Sequence, residues 1–177
     1  MSLRAERRFL ADRQGIAAVE FALIAPFLLL LFAGAAELQQ GLGAATKVDE
    51  ITAVVADLVA QESNLSGDDL DAIFSGAKAM LAPYPVGDLK VLVAISDVPA
   101  NGGKVAWSAA SAGAALAGGA DVPVTIPAKL RTSGVQIVTV KTTYTLTTVF
   151  SRLFGTYALQ KSRYTRPRTS DIITYTK

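Results

Sequence analysis

Apolar and polar positions divide the chain into an unbroken apolar run, a striped segment and a region of alternating character. From Ile16 to Ala36 the sequence reads IAAVEFALIAPFLLLLFAGAA, 21 residues in which Glu20 is the only charge. A helix of that length crosses ~30 Å, the thickness of a bilayer's hydrocarbon core. Apolar residues then recur at Val48, Ile51, Val55, Leu58 and Val59, opposed by Lys47, Asp49, Glu50 and Asp57. This spacing predicts an amphipathic continuation of the same helix over 37–62. Gly34, Gly41 and Gly43 weaken the junction and Pro26 frees a backbone carbonyl, so kinks or hinges are expected there.

The remaining residues, 63–177, read as one extracytoplasmic domain. A turn is predicted at Asn64–Gly67, then a second helix over about Asp68–Leu81. That helix has acidic residues in its first turn and a buried face of Leu70, Ile73, Phe74, Ala77 and Leu81. Pro83 and Pro85 end it. Lys90–Ile95 reads as a strand, Asp97–Gly103 as a turn-rich connection, and Lys104–Ser108 as a returning strand. Ser111–Ala120 is an Ala/Gly-rich loop or weak helix. Val135–Thr147 carries the longest strand signal, and its Gln136, Thr139 and further threonines suggest one wetter face. Ser151–Gly155 makes a turn and Tyr157–Tyr164 a last strand. Helices first and strands afterwards define an α+β class, with a small, mainly antiparallel sheet of about four strands.

Composition narrows the chemistry. The hydrophobic share is 51% with only 7% aromatic, as expected when one lipid-facing Ala/Val/Leu helix is added to an ordinary domain. Roughly 140 residues remain outside that helix, enough for one small core. There is neither cysteine nor histidine, which excludes disulfides, thiol catalysis and thiolate metal sites, and removes the commonest general base and metal ligand. The net charge of +2 is too weakly basic to indicate nucleic-acid binding. No cofactor is expected.

Charge also orients the span. Arg4, Arg7, Arg8 and Arg13 precede it, and the next basic residue after it is Lys47. The bias holds a leader at 1–15 in the cytoplasm and sends the domain across an inner membrane. A cleaved signal peptide is the rival, with Ala33-Gly34-Ala35 as its site, but the apolar run exceeds the ~7–15 residues of such segments and contains a carboxylate and a proline. Arg7-Arg8-Phe9-Leu10 lacks the residue that separates the arginines from Phe-Leu in twin-arginine signals. Glu20 has two readings: a carboxylate awaiting a partner within the membrane, or one that reaches the headgroups one turn away.

Gln14-Gly15-Ile16-Ala17-Ala18-Val19-Glu20-Phe21 resembles a type IV prepilin processing site: a basic leader ending in Gly, then an apolar helix with Glu fifth. The run Gly15–Pro26 is most similar to the TadE-like branch, minor pilins or pseudopilins of tight-adherence (Tad) pilus systems. Val105-Ala106-Trp107-Ser108, Ile126–Leu130, Tyr144 and Arg166-Pro167-Arg168 look like later landmarks of that family; Thr145-Leu146-Thr147 departs from the proline often found after the tyrosine. The resemblance implies a long helix laid on a small sheet, and a cut by a prepilin peptidase between Gly15 and Ile16. It implies that Glu20 and Phe21 set register during assembly, with Glu20 neutralising the new Ile16 amine. The implied partners are that peptidase, other minor and major pilins, the assembly platform and membrane lipid. A permanently anchored, unprocessed periplasmic scaffold or binding domain is the alternative.

Other motifs are weaker. Ser75–Lys78 fits S-x-x-K, but Ser96-Asp97 and Lys141-Thr142 complete the penicillin-binding pattern only in part, and the chain is too short for that fold. Asp68, Asp69 and Asp71 lack the alternating ligands of a calcium loop and suit a helix N-terminus. Lys161, Arg163, Arg166 and Arg168 form a basic segment. Lying outside the cytoplasm, it reads as a solvated face or as a contact for an acidic pilus partner. No enzymatic activity is expected.

Overall fold

The computed structural model describes residues 14–99 and 103–176. The leader arginines Arg4, Arg7, Arg8 and Arg13, and part of the connection expected at Asp97–Gly103, lie outside them. Among the described residues the order is α1 (Gln14–Gln61), β1 (Asn64–Ser66), α2 (Gly67–Met80), β2 (Lys90–Asp97), β3 (Lys104–Ala110), a 3-10 turn (Ala128–Leu130), β4 (Gln136–Leu146), α3 (Ser151–Phe154), β5 (Tyr157–Thr165) and β6 (Thr174–Thr176). The chain divides into two compact units, one ending at Gln40 and the other beginning at Gly41.

The first unit is the lower part of α1. Ala and Leu are among the best helix formers, and their density here sustains the helix through Pro26, Gly34 and Gly41 without a break in assignment. Large apolar side chains from Ile16 to Phe32 stand exposed. It is the one helix among the described residues long and apolar enough to cross a membrane.

The second unit is a helix-on-sheet layer built round a four-stranded antiparallel sheet in the order β3-β2-β4-β5. This is the α+β arrangement expected, with the sheet mainly antiparallel as read. The upper part of α1 presents Ala44, Val48, Ile51, Val55 and Val59 to it. These pack with Val91, Val93 and Ile95 of β2 and Val138, Val140, Tyr144 and Leu146 of β4. Leu58, expected in the buried stripe, is instead exposed. α2 adds Leu70, Phe74 and Ala77, and the Leu81 that caps it; Ile73 is only half-buried. A capping box starts α2: the Ser66 hydroxyl accepts from the Asp69 amide at 3.2 Å, and the Ser66 amide donates to the Asp69 carboxylate at 2.9 Å.

Two further expectations are corrected. Asn64–Gly67 is not a turn: Asn64–Ser66 is a strand, paired parallel with Thr174–Thr176 in a separate two-stranded sheet. The wetter face of β4 is shorter than expected: Lys141, Thr143 and Thr145 are partly or fully open, but Thr139 and Thr142 are fully buried and Gln136 nearly so. The reason is that both sides of the sheet are covered at the Gln136 end of β4. Val98, Ile126 and Ile137, with Val122 and Leu130, form a second small cluster, and its Ile137 side is the side that α1 leaves open. The segment 111–127 supplying that cover is tied down by Val105 and Ala120, amide to carbonyl at 2.9 Å, and by the Ser108 hydroxyl on the Leu116 carbonyl.

Candidate functional site

The start of α1 is the site the sequence points to. Gly15, Ile16, Glu20, Phe21 and Pro26 all lie on one continuous helix and are all exposed. Among the described residues a Cβ placed on Gly15 would meet nothing within 4 Å, so no packing demand there explains the glycine. Glycine also weakens a helix by ~1 kcal/mol relative to alanine, which leaves the first turn easy to open. Ile16 and Glu20 are four residues apart, hence neighbours on one face, ~6 Å along the axis. Phe21, 67% exposed, stands beside them. An amine created at Ile16 would therefore lie one turn from the Glu20 carboxylate.

The basic C-terminal segment is used within its own unit. Arg163 on β5 bonds Asp49 of α1 at 2.8 Å, and Arg168 pairs with Asp57. The Arg168 amide donates to the Ala60 carbonyl at 2.7 Å and the Thr169 hydroxyl to the Gln61 carbonyl at 2.6 Å. Arg166 reaches the Leu130 carbonyl and the Thr132 hydroxyl at 3.1 and 3.0 Å. Lys161 is exposed on β5. Three of the four side chains thus strap the chain end to α1 and to the loop before β4. Each guanidinium ion pair is half-exposed and worth under ~1 kcal/mol.

Sequence reasoning missed what seals that strap. Trp107 stacks on Tyr175 with ring centroids 5.1 Å apart, and its indole N–H donates to the Ile173 carbonyl at 2.9 Å. Gln136 accepts from the Ile173 amide and donates to Asp97 at 3.0 Å. A lone tryptophan in a strand and a glutamine at a strand's start were the available signals; neither names a partner more than thirty residues away.

The remaining motifs are not drawn together. Ser75 and Lys78 are exposed on α2, whose Leu70–Phe74–Ala77 face packs on the α1 side of the sheet. Lys141, from its place in β4, belongs to the opposite side. Asp69 is occupied by the cap, where two hydrogen bonds from Ser66, side chain first, hold its carboxyl below the usual value of 3.8. Lys104 acts in the same direction on Asp121, 2.7 Å away. Tyr144 moves the other way: burial, then the nearby Asp88 carboxylate and Tyr84, raise its phenol above the usual 10.0.

The family model of TadE-like proteins matches residues 15–57, the stretch that contains the motif Gly15–Pro26. That family is one of structural pilus components. No curated protein and no solved structure matches the chain.

Proposed function

We propose that the protein is a minor pilin or pseudopilin of a Tad-type pilus, a non-enzymatic subunit matured by a prepilin peptidase after Gly15. The observation that carries this reading is a motif on a bare helix. Gly15, Ile16 and Glu20 head an apolar segment with exposed side chains, and the glycine packs against nothing among the described residues. The segment 16–36 lies in the inner membrane with the leader cytoplasmic and the domain from residue 63 periplasmic or pilus-associated. Once the bond is cut, the Ile16 ammonium meets Glu20 of the same helix or of a neighbouring one. In low dielectric that pair gains Coulomb energy while desolvation offsets much of it, so its use is register more than stability. The partners are the peptidase, fellow minor and major pilins and the assembly platform. Val54 and Leu58, exposed on the upper part of α1 beside Ala53 and Asp57, offer a neighbouring subunit a continuing contact.

N-terminal sequencing of protein taken from membranes of its host tests the proposal. A chain starting at Ile16 supports it. A Met1 start establishes an unprocessed anchored scaffold, and a start near Ala36 establishes a secreted domain. Glu20→Ala and Glu20→Gln are expected to abolish partner capture and piliation while leaving the melting of the folded domain unchanged.

A further inference from the structure

The β4–β5 hairpin ends in a tip that the assembly reading does not use. Val149, Phe150, Leu153 and Phe154 are exposed there, Val149 by 87% and Leu153 by 61%. The tip is nevertheless well built. The Thr148 amide donates to the Ser151 hydroxyl at 2.6 Å. Within α3 the Leu153 and Phe154 amides reach the Phe150 carbonyl at 2.8 and 3.0 Å, and the Gly155 amide reaches Ser151 at 2.9 Å. Gly155, at φ +87°, turns the chain back into β5. The tip therefore satisfies much of its own backbone while turning its apolar side chains outward, which is what a segment entering a low-dielectric medium requires.

Its place within the second unit is also informative. Arg163 pairs with Asp49, the Arg168 amide with Ala60 and the Thr169 hydroxyl with Gln61, so β5 and the chain after it run in the direction of α1. Back from Arg163, β5 descends six residues, ~20 Å, toward the Gly41 end of that unit. Tyr144, two residues from the end of β4, lies near Tyr84, whose hydroxyl occupies the space a Cβ on Gly43 would need. The tip and residues 41–43 thus share one end of the domain. Gly41 follows Ala36 by five residues, at most ~18 Å of chain, so that end cannot move far from a bilayer holding residues 16–36. The charge fits as well: from Val122 to Ser170 the chain has eight Lys or Arg and no Asp or Glu.

We infer that the β4–β5 tip docks on the membrane interface: Val149, Phe150, Leu153 and Phe154 seat at the headgroup–acyl boundary and Arg152 meets anionic phospholipid headgroups. This rests on the membrane-span reading above. An apolar cluster gains by area removed from water, a nearby Arg adds attraction to anionic lipid, and its long stem reaches the phosphates while the rings sit deeper. The tip thereby adds a second membrane contact, held until a neighbouring subunit replaces the lipid.

The test uses the full chain, which has no native cysteine, in vesicles of equal parts phosphatidylcholine and phosphatidylglycerol. Leu153→Cys, Ser133→Cys and Leu29→Cys each carry an environment-sensitive fluorophore, with Trp107 emission reporting that the fold is kept. Spin-labelled lipid is expected to quench the Leu153 probe several-fold more than the Ser133 probe, and aqueous iodide to show the reverse order. Adding Arg152→Glu is expected to reduce the lipid quenching, more so with phosphatidylglycerol present than with phosphatidylcholine alone. Equal behaviour at Leu153 and Ser133 overturns the inference, as does protection that appears only when protein is crowded relative to lipid, which would assign the tip to a second copy. The Leu29 probe separates the two readings. If it is lipid-quenched and Leu153 is not, docking alone fails; if Leu29 is also unquenched, the span itself fails and docking with it.

Discussion

The two parts of α1 are one helix by backbone and two different objects by side chain. Below Gln40 the large apolar residues face outward, and Leu29 is 67% exposed. Above Gly41, Ile51 is fully buried, and polar residues such as Asp49 and Glu50 take the outward side. Helix propensity is served equally well by both, so the difference lies in what each expects to touch. A segment apolar all round needs an apolar surrounding, whereas a striped one needs a single apolar face opposite. The first carries its partner's chemistry on its own surface; the second has already met its partner in β2 and β4.

Truncation breaks the comparison most sharply. Ile51→Ala is expected to cost ~2–5 kcal/mol in denaturant unfolding, as for other buried aliphatics cut to alanine. Leu29→Ala is expected to stay within ~0.5 kcal/mol in the same assay, since it vacates no packed site. Equal losses at the two positions would refute the division.

A milder probe reads the buried sheet. Thr142 lies among apolar neighbours opposite Val91, and its hydroxyl has no hydrogen-bond partner among the described residues. Thr142→Val removes an unsatisfied polar group at nearly constant volume, so a gain of ~1 kcal/mol is expected. A loss in the unfolding midpoint would mean that the hydroxyl is satisfied.

Glycines at the boundary sharpen the picture further. Gly41 has open space about its Cβ position, so Gly41→Ala is expected to add up to ~1 kcal/mol through helix propensity. Gly43→Ala meets the Tyr84 hydroxyl and is expected to forfeit that gain until Tyr84→Phe removes the obstacle. Thermal melts of the two single variants and the double variant decide it.

The smallest effect is electrostatic. Asp69 titrates below 3.8 because Ser66 hydrogen-bonds its charged form. Its folded value lies below its unfolded one, so its contribution to stability is present above the unfolded value and is lost as pH falls through the folded one. Carboxyl NMR is expected to show this low titration, and Ser66→Ala to return it toward 3.8.

Much of this was legible from the sequence. The run Ile16–Ala36, its one carboxylate at Glu20, the stripe from Val48 to Val59, α2 and the four sheet strands follow from local periodicity. Backbone geometry ties side-chain direction to spacing along the chain, so such patterns need no knowledge of distant residues. The prepilin-like motif was legible for the same reason, being contiguous. Tertiary structure alone decided the rest. Asn64 shares a hydrogen bond with Thr174 across 110 positions, and three residues are too few to announce a strand. Of the β4 threonines that read as a wet face, Thr142 is buried on the side that α1 covers and Thr139 on the Ile137 side, beside a cluster supplied by a loop without regular pattern. The basic tail, which read as a solvated face or a contact for an acidic partner, also straps the chain end to α1. In each case the outcome depends on which segments meet, and that is set by burial summed over the whole domain and not by any one segment's preference.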